Sequence, residues 1–543
     1  MLRIFNRKLR VWQLMNENNA ANISDNIGQN QSPDQLEAGL ALNLAALAGR
    51  LGKSPDIIIR EFSIGALNKV NGAIVFVDGL VDTNQIDRDI LAPLMNTEKT
   101  KESPDDVDKE EQDYILNLQM KLVAIGDVKI KSSINDLVDG VLSGDTILMV
   151  DGCREALILS TKGWEKRTIQ EPSSEVVVRG PREGFVETLR TNTSLLRRRI
   201  RNPNLTFEVM RIGKQTQTDV CIAYIKGIAA DSLIGEIKQR LKRINTDSIL
   251  ESGYIEEFIM DAPLSVFPTV SRSERPDAVA GKILEGRAAI MIAGTPFVLT
   301  VPMLLIETFQ SPEDYYSRSY YGSLIRWVRY VSFGFSLLLP AFYVAFSSFH
   351  TELIPTSLLI TLAASREGLP FAAVIEALGM GLIFEILREA GIRLPRPIGQ
   401  TISIVGALVV GQAAVSAGLV GAPMVIVVAF TAIASFAIPS LADSTAILRV
   451  ALTIIAGILG AFGIIMGLLV LLIHLASLRS FGTPYLSPLS PFMPTDLKDV
   501  AVRAPWWAMF LRPHNFGRDD SERQAFRLKP GPNSNQNNDS SDE

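Results

Sequence analysis

Two long stretches without a charged residue, 399–439 and 450–478, constrain the fold of this chain more than any other feature. Both are longer than the run of about 18 apolar residues that is typical of a membrane-spanning helix. Roughly the first 280 residues instead mix charged, polar and apolar residues, as soluble domains do. The sequence therefore predicts an α/β soluble N-terminal region of two subdomains, followed by an all-α polytopic membrane domain.

Composition argues against several classes of function. The 543 residues carry a formal net charge of -5, which gives no indication of nucleic-acid binding. The two cysteines, Cys153 and Cys221, form no CxxC pair, and the three histidines are widely separated. The Gly-Lys-Ser sequence at 52–54 lacks the first glycine of a nucleotide-binding loop, because position 47 is leucine. We therefore expect no metal, no cofactor and no enzymatic activity.

The soluble part carries helix and strand signals in turn. Two apolar runs end in Asp-Gly turns, at 78–79 and 151–152, as buried strands often do. The similarity between AIVFVDG and TILMVDG indicates either two related α/β units or two unrelated strands that end in the same turn. The predicted elements are helices at 36–51 and 231–244, strands at 73–77 and 146–150, and a β-hairpin of 205–212 with 219–228.

The domain layout follows from these changes in composition. Both chain ends are polar and we expect them to be disordered. A proline-rich passage with paired tryptophans follows the last apolar stretch and is typical of a segment at the membrane surface. The predicted parts are a tail (1–35), a cytoplasmic α/β region (36–282, divided into about 36–170 and 171–282), a transmembrane domain (283–480), a proline-rich interfacial segment (481–518) and a second tail (519–543).

The number of membrane spans stays open at this stage. The arginine-rich loop 388–396 and the basic C-terminal stretch both favour the cytoplasmic side, which requires an even number of spans. The segment Ala288–Ile306 contains two prolines and could span, kink or re-enter the membrane. The remaining apolar segments are Trp327–Phe349, Leu353–Ala364, Phe371–Leu387, Ile398–Gly418, Leu419–Ile438 and Val450–Leu475.

Two carboxylates lie in an otherwise apolar segment and are the sharpest candidate functional residues. Glu376 and Glu385 must face a bundle interior, a partner or water, because an ionised carboxylate in hydrocarbon is costly. Nine residues apart, they point to opposite sides of an ideal helix and cannot form one acid pair. Each marks either an ion path or a salt bridge between helices. The charged turn that contains Arg366 and Glu367 is a candidate gate, or a simple loop in water.

Glycines in the last apolar stretch predict close helix packing. Gly457, Gly460, Gly463 and Gly467 recur every three or four residues, which places them on one side of a straight span. Such a stripe indicates helix packing or oligomerisation, within one chain or between copies.

A basic patch in the soluble region is a candidate contact for a partner protein or for lipid headgroups. It consists of Arg197, Arg198, Arg199 and Arg201. The alternative is a charged helix face that is paired with local carboxylates.

Several longer stretches resemble the A subunits of the GerA-type spore germinant receptors. Each stretch is unspecific alone, but the combination is specific, and the resemblance covers most of residues 36–510. The stretches are RGPREGF (179–185), NTSLLRRRI (192–200), TPF (295–297), ETFQSPEDYY (307–316), SREGLPF (365–371) and FEILREAGIRLPRPI (384–398).

This resemblance implies a function that composition and spacing do not reveal. It implies an integral protein of the spore inner membrane, with a cytoplasmic N-terminal domain and C-terminal tail. It also implies a complex with a transporter-like B subunit and a lipoprotein C subunit, in which the A subunit forms homo-oligomers and conducts cations when a germinant binds. One alternative is a non-conducting scaffold that docks the transporter and passes its state to a separate channel. Another is a sporulation paralogue of the stage V sporulation AF type, which shares the same domain plan. The family offers no catalytic residues to carry over.

Overall fold

The protein is described from a computed structural model. The predicted tails and the charged segment 97–113 fall almost entirely outside the described residues. The structure describes residues 35–52, 54–64, 70–95, 115–116, 118, 125–163, 171–172, 175–393, 409–514, 516 and 522–524.

The first unit is an antiparallel sheet covered on both faces. The strands β1 (Ile57–Ile64), β2 (Val70–Val77), β3 (Val128–Lys131), β4 (Thr146–Val150) and β5 (Ala156–Leu159) lie in the order β1-β2-β4-β5-β3. Alternate residues of β2 enter two different cores: one is shared with α1 (Leu40–Leu51) and α2 (Ile134–Leu142), the other with the helical turns of 83–95. Because both faces are buried, β2 is apolar at every position from Ala73 to Val77.

The two predicted Asp-Gly strands are neighbours in this sheet. β2 and β4 pair antiparallel, with Gly72 opposite Val150 and Val75 opposite Ile147. The similarity of their sequences therefore does not mark two separate units.

The second sheet contains the predicted hairpin and extends beyond it. The strands β6 (Leu205–Ile212), β7 (Thr218–Ile225), β8 (Ser271–Ser273), β9 (Ala288–Ile292) and β10 (Val298–Val301) lie in the order β6-β7-β9-β10-β8. The accompanying helices are α3 (Leu189–Arg199), α4 (Asp231–Arg243), α5 (Ser252–Ile259) and α6 (Pro276–Leu284).

The interpretation of Ala288–Ile306 as a membrane segment is wrong. Its two apolar runs are β9 and β10, which pair with each other and lie in the core of the second sheet. The sheet thus continues past the expected boundary at 282. The chain divides into two compact units, one of residues 1–167 with 193–208, the other of 168–192 with 209–543.

The helical part begins at Ser319. Its helices are α7 (Ser319–Ser348), α8 (Thr356–Arg366), α9 (Ala373–Arg393), α10 (Ala422–Phe436) and α11 (Ala442–Ser477), and 409–416 is also helical. Within the described residues, α7 and the segment Pro439–Ser477 are long and apolar enough to cross a membrane. Most predicted apolar segments are therefore helical, although only the second half of Ile398–Gly418 is described.

The last helix is not straight, because the chain reverses at Gly460. The backbone there has φ 61° and ψ -145°, which is not helical. A Cβ atom on Gly467 would lie 2.6 Å from Leu452 Cδ2, whereas these residues would be about 22 Å apart along one straight helix. At the base of this hairpin, Ser444 donates to Val266 O and His474 Nε2 lies 2.9 Å from Ser265 Oγ. The first arm therefore starts, and the second arm ends, beside the loop that precedes β8.

The C-terminal segment packs within the second unit. The short pair β11 (Arg479–Ser480) and β12 (Thr483–Pro484) leads to Tyr485, which is buried. Trp506 Nε1 donates to Tyr315 O, so this tryptophan rests partly on protein. Contact of the segment with lipid headgroups stays a prediction.

Candidate functional site in the membrane helices

Glu376 is buried in the first turns of α9, where three elements meet. Glu376 is 2% exposed. Arg366, at the end of α8, places Nη2 3.7 Å from Glu376 Oε1, and the amide of Gly421 donates to Oε2 at 3.3 Å. Gly421 is the N-cap of α10, and the positive end of a helix dipole favours a carboxylate. The structure thus brings the predicted residues Arg366 and Glu376 together.

Hydrogen bonding around Glu376 is incomplete. In the part of the chain that the structure describes, Glu376 Oε1 and Tyr343 Oη are buried without a hydrogen-bond partner. Tyr343 packs in the same cluster as Ala373 and Ala377 of α9. Buried polar atoms without partners are costly, and such atoms favour binding of water or of an ion.

Glu367 differs from its neighbour Arg366. It lies exposed in the turn between α8 and α9, where Gly368 has φ 82°. Its role as a gating residue stays a prediction.

Glu385 forms a second ion-pair group further along α9. Its carboxylate lies 2.6 Å from Arg449 Nη2 of α11 and 2.8 Å from Arg388 Nη2 on the same helix. This arrangement agrees with the salt-bridge alternative for Glu385. Glu389 instead pairs with Arg393, one turn further along α9. The sequence analysis missed Arg449, although a single arginine beside a long apolar run is a signal for a partner of opposite charge.

A cavity of about 310 Å³ lies between four of the helices and borders Glu385. Apart from Glu385, Arg449 and two threonines, its walls are apolar. An empty apolar cavity costs about 24 cal/mol for each Å³ in soluble proteins. The walls include Pro340 of α7, Gly381 of α9, Val428 of α10 and Thr453 of α11.

The four predicted glycines pack helices within this chain. Gly457 lies against Val374 of α9, and Gly463 and Gly467 lie against the first arm of the α11 hairpin. Gly460 forms the reversal itself, beside Phe349 and His350. The prediction of one stripe on a straight span is therefore wrong, because the chain turns in the middle of it. A role in oligomerisation stays a prediction.

The residues of the predicted basic patch differ in burial. Arg197 is fully buried and its guanidinium binds both carboxylate oxygens of Asp56, with Nη2 2.8 Å from Oδ2. Arg197 therefore cannot contact a partner or lipid, so that prediction is wrong for this residue. Arg198 and Arg199 are half-buried and Arg201 is exposed.

The ETFQSPEDYY stretch forms ion pairs at the base of α7. We call Glu307, Asp314 and Tyr315, with their partners, the collar. Glu307 Oε2 lies 2.5 Å from Arg287 Nη1, and Asp314 Oδ2 lies 2.7 Å from Arg329 Nη1. Tyr315 Oη donates to Asp499 at 2.7 Å, and burial raises the pKa of Tyr315 well above its usual value, so the phenol stays a donor.

Comparisons with known proteins identify the family of this chain. The family model described as Bacillus/Clostridium GerA spore germination protein matches residues 45–515. This chain belongs to the GerA spore germination family. Together with α7 and the apolar segment Pro439–Ser477, family membership suggests a membrane protein.

Relatives match over nearly the whole chain. Spore germination protein KA of Bacillus subtilis (strain 168) is 47% identical over 506 residues, which cover 93% of this chain and 91% of that protein. The uncharacterized membrane protein YfkQ of the same organism is 44% identical over 97% of this chain and 98% of its own length. A crystal structure of the N-terminal domain of the A subunit of the Bacillus megaterium spore germinant receptor GerK3 is 38% identical, with a TM-score of 0.39, and covers 51% of this chain and 99% of that one.

Proposed function

We propose that this chain is the A subunit of a nutrient germinant receptor in the spore inner membrane, and that it oligomerises to form a cation channel that opens when a germinant binds. Its partners in this proposal are a transporter-like B subunit and a lipoprotein C subunit. The soluble region and the C-terminal tail lie in the cytoplasm. The α11 hairpin supports a common side of the membrane for these two parts, because it begins and ends beside the loop that precedes β8.

The observation that carries the conducting role is the position of Glu376. Its carboxylate is buried among apolar helices, yet one oxygen has no hydrogen-bond partner among the described residues. A cation that replaces the 3.7 Å contact with Arg366 would satisfy this oxygen. Movement of the α8–α9 turn, which carries Arg366, would then open or close the site.

A non-conducting scaffold is the main alternative. Glu385 is fully engaged by Arg449 and Arg388, and the neighbouring cavity is mostly apolar, which is not expected of a hydrated path inside one copy. A scaffold would instead pass the state of the B subunit to another channel. A sporulation paralogue that amplifies ion release is a third assignment.

Cation flux through the purified chain in liposomes, alone and with its B and C partners, tests the proposal. We expect flux with the germinant present, and a change in selectivity or at least a severalfold lower rate for Glu376→Gln. Glu389→Gln is the matched control, because Glu389 lies on the same helix but is exposed and pairs locally with Arg393.

The outcomes separate the candidates. Flux that Glu376→Gln alters and Glu389→Gln does not would support conduction through this chain. A folded oligomer that conducts under no condition would contradict the channel and favour the scaffold. Flux that needs no germinant or B subunit would favour the paralogue.

A further inference from the structure

The cavity beside Glu385 has a mouth on the outer surface of the helices. Two of its apolar wall residues are strongly exposed: Leu382 of α9 is 63% exposed and Val450 of α11 is 48% exposed. Where these helices lie in a membrane and no other copy covers them, the surface between these residues faces hydrocarbon. The cavity is therefore accessible to lipid chains without passing through the protein.

An apolar space of this size costs packing energy when it is empty. About 310 Å³ reaches the range of cavities that hold small molecules, and packing contacts are lost along every wall that has no partner atoms. Water is a poor occupant, because most of the walls offer no hydrogen bonds. The surrounding bilayer supplies apolar chains at high concentration.

The polar rim of the cavity adds a charge preference. Arg449 and Glu385 border the cavity, and Arg388 binds the second oxygen of Glu385. Two arginines against one carboxylate leave a net positive charge at this end. Arginine binds phosphate oxygens well, and Arg388 is still 24% exposed.

We propose that this cavity is a phospholipid site, in which one acyl chain fills the space between α7, α9, α10 and α11 while an anionic headgroup lies at Arg388 and Arg449. The lipid would act as part of the packing between the α11 hairpin and α9. The proposal requires only that these helices lie in a membrane and does not depend on conduction.

Two glycines of α9 provide a matched test. A side chain at Gly381 would enter the cavity, whereas Gly379 is exposed and does not border it. A Cβ atom at either position meets no heavy atom within 4 Å, and both replacements by leucine gain the same helix propensity. Gly381→Leu therefore fills the cavity, and Gly379→Leu controls for every other effect of the substitution.

The measurement is native mass spectrometry of the full chain, purified in mild detergent, combined with its melting temperature before and after addition of phosphatidylglycerol. We expect the unchanged chain and Gly379→Leu to retain one phospholipid per chain and to melt higher with added lipid. Gly381→Leu should lose the retained lipid and the lipid-dependent rise. Arg388→Gln should reduce the preference for phosphatidylglycerol over phosphatidylcholine.

Two results would overturn the proposal. Equal lipid retention in Gly381→Leu and Gly379→Leu would place the lipid elsewhere. A smaller oligomer for Gly381→Leu, with unchanged lipid content, would mean that a neighbouring copy fills the cavity.

Discussion

The sheet region and the helical region bury charged groups in contrasting ways. In the first sheet unit, Arg197 and Asp56 have side chains that are 0% and 2% exposed, and they form a bidentate pair. Arg197 also donates to Asn202 O, and its guanidinium lies 5.0 Å from the Phe207 ring centroid. In the helices, Glu376 is equally buried but has one ion contact at 3.7 Å and one amide donor.

This difference separates two uses of a buried charge. A fully bonded pair that joins residues 141 positions apart stabilises one arrangement of the chain, and any movement would break several bonds at once. An under-bonded carboxylate can exchange its partner at lower cost, so it suits a place where the structure changes. The first kind explains why segment 193–208 belongs to the first unit.

The largest expected effect comes from removing the bonded arginine. Arg197→Met leaves Asp56 as a buried charge without its partner, which should reduce the stability of the first unit by about 3–5 kcal/mol. Arg201→Met is the control, because Arg201 is exposed two residues after the end of the same helix. Cys153 is buried in this unit and Cys221 in the other, so the rate of thiol labelling in rising urea reports each unit separately.

The expected result is early labelling of Cys153 in Arg197→Met, with Cys221 much less affected. If both arginine variants protect Cys153 equally well, the pair is not what holds this unit together, and the contrast with Glu376 fails.

A substitution at Gly460 tests whether the backbone conformation of the reversal holds the α11 hairpin together. A non-glycine residue near this φ and ψ costs about 1–3 kcal/mol, and a Cβ atom would also lie 3.0 Å from Phe349 Cβ. We expect Gly460→Ala to loosen the hairpin. The measurement is disulfide formation between cysteines placed at Leu452 and Gly467, which face each other across the two arms.

Gly379→Ala is the control for this experiment, since its new methyl group would meet no heavy atom within 4 Å. Cross-linking that is fast in the control and slow in Gly460→Ala would support a turn that requires glycine at position 460. Equal rates would show that the turn does not depend on glycine.

Local signals explain which parts of the fold were predictable. The Asp-Gly turns after 77 and 150, and the polar turn between β6 and β7, are encoded by neighbouring residues, and their strands agree with the prediction. The prediction of a membrane segment at Ala288–Ile306 was wrong, because a pair of short buried strands and a membrane segment both consist of apolar residues. The two prolines and Gly294, which has φ 95°, were the evidence for a break.

The site was predictable only to the level of single residues. An acidic residue in an apolar segment must find a partner, and Glu376 and Glu385 each have an arginine beside them. Their role in function stays a prediction. The partners Arg449 and Gly421 lie 64 and 45 positions away, so no spacing rule identifies them. The prediction for Arg197 was wrong for the same reason. A run of arginines is typical of an exposed surface, and the sequence does not show that Asp56 lies beside Arg197 in the fold.

The collar offers the smallest and most specific test, because its buried carboxylate Glu307 shares Arg287 with the half-buried carboxylate of Glu285, and the two behave in opposite ways. Burial alone would raise the pKa of Glu307, but Arg287 and Lys282 hold it below its ordinary value. Burial raises the pKa of Glu285, and Arg287 and Arg523 offset this only in part. Glu307 therefore contributes stability above its unfolded pKa of about 4.5, and this contribution is lost as the pH falls through its folded pKa.

Glu285 has the opposite sign: its contribution is present at low pH and is lost as the pH rises through its raised pKa. We expect Glu307→Gln to lower the melting temperature at pH 7 and to weaken the loss of stability below about pH 4.5, by about 1.4 kcal/mol for each pKa unit. Glu285→Gln should leave the melting temperature at pH 7 unchanged or raise it. Melting curves of both variants from pH 3 to pH 8 test these expectations. A lower melting temperature of Glu285→Gln at pH 7 would mean that the collar needs the carboxylates of Glu285 and Glu307 both charged. The collar would then resemble the fully bonded pair of the sheet region rather than the open site at Glu376.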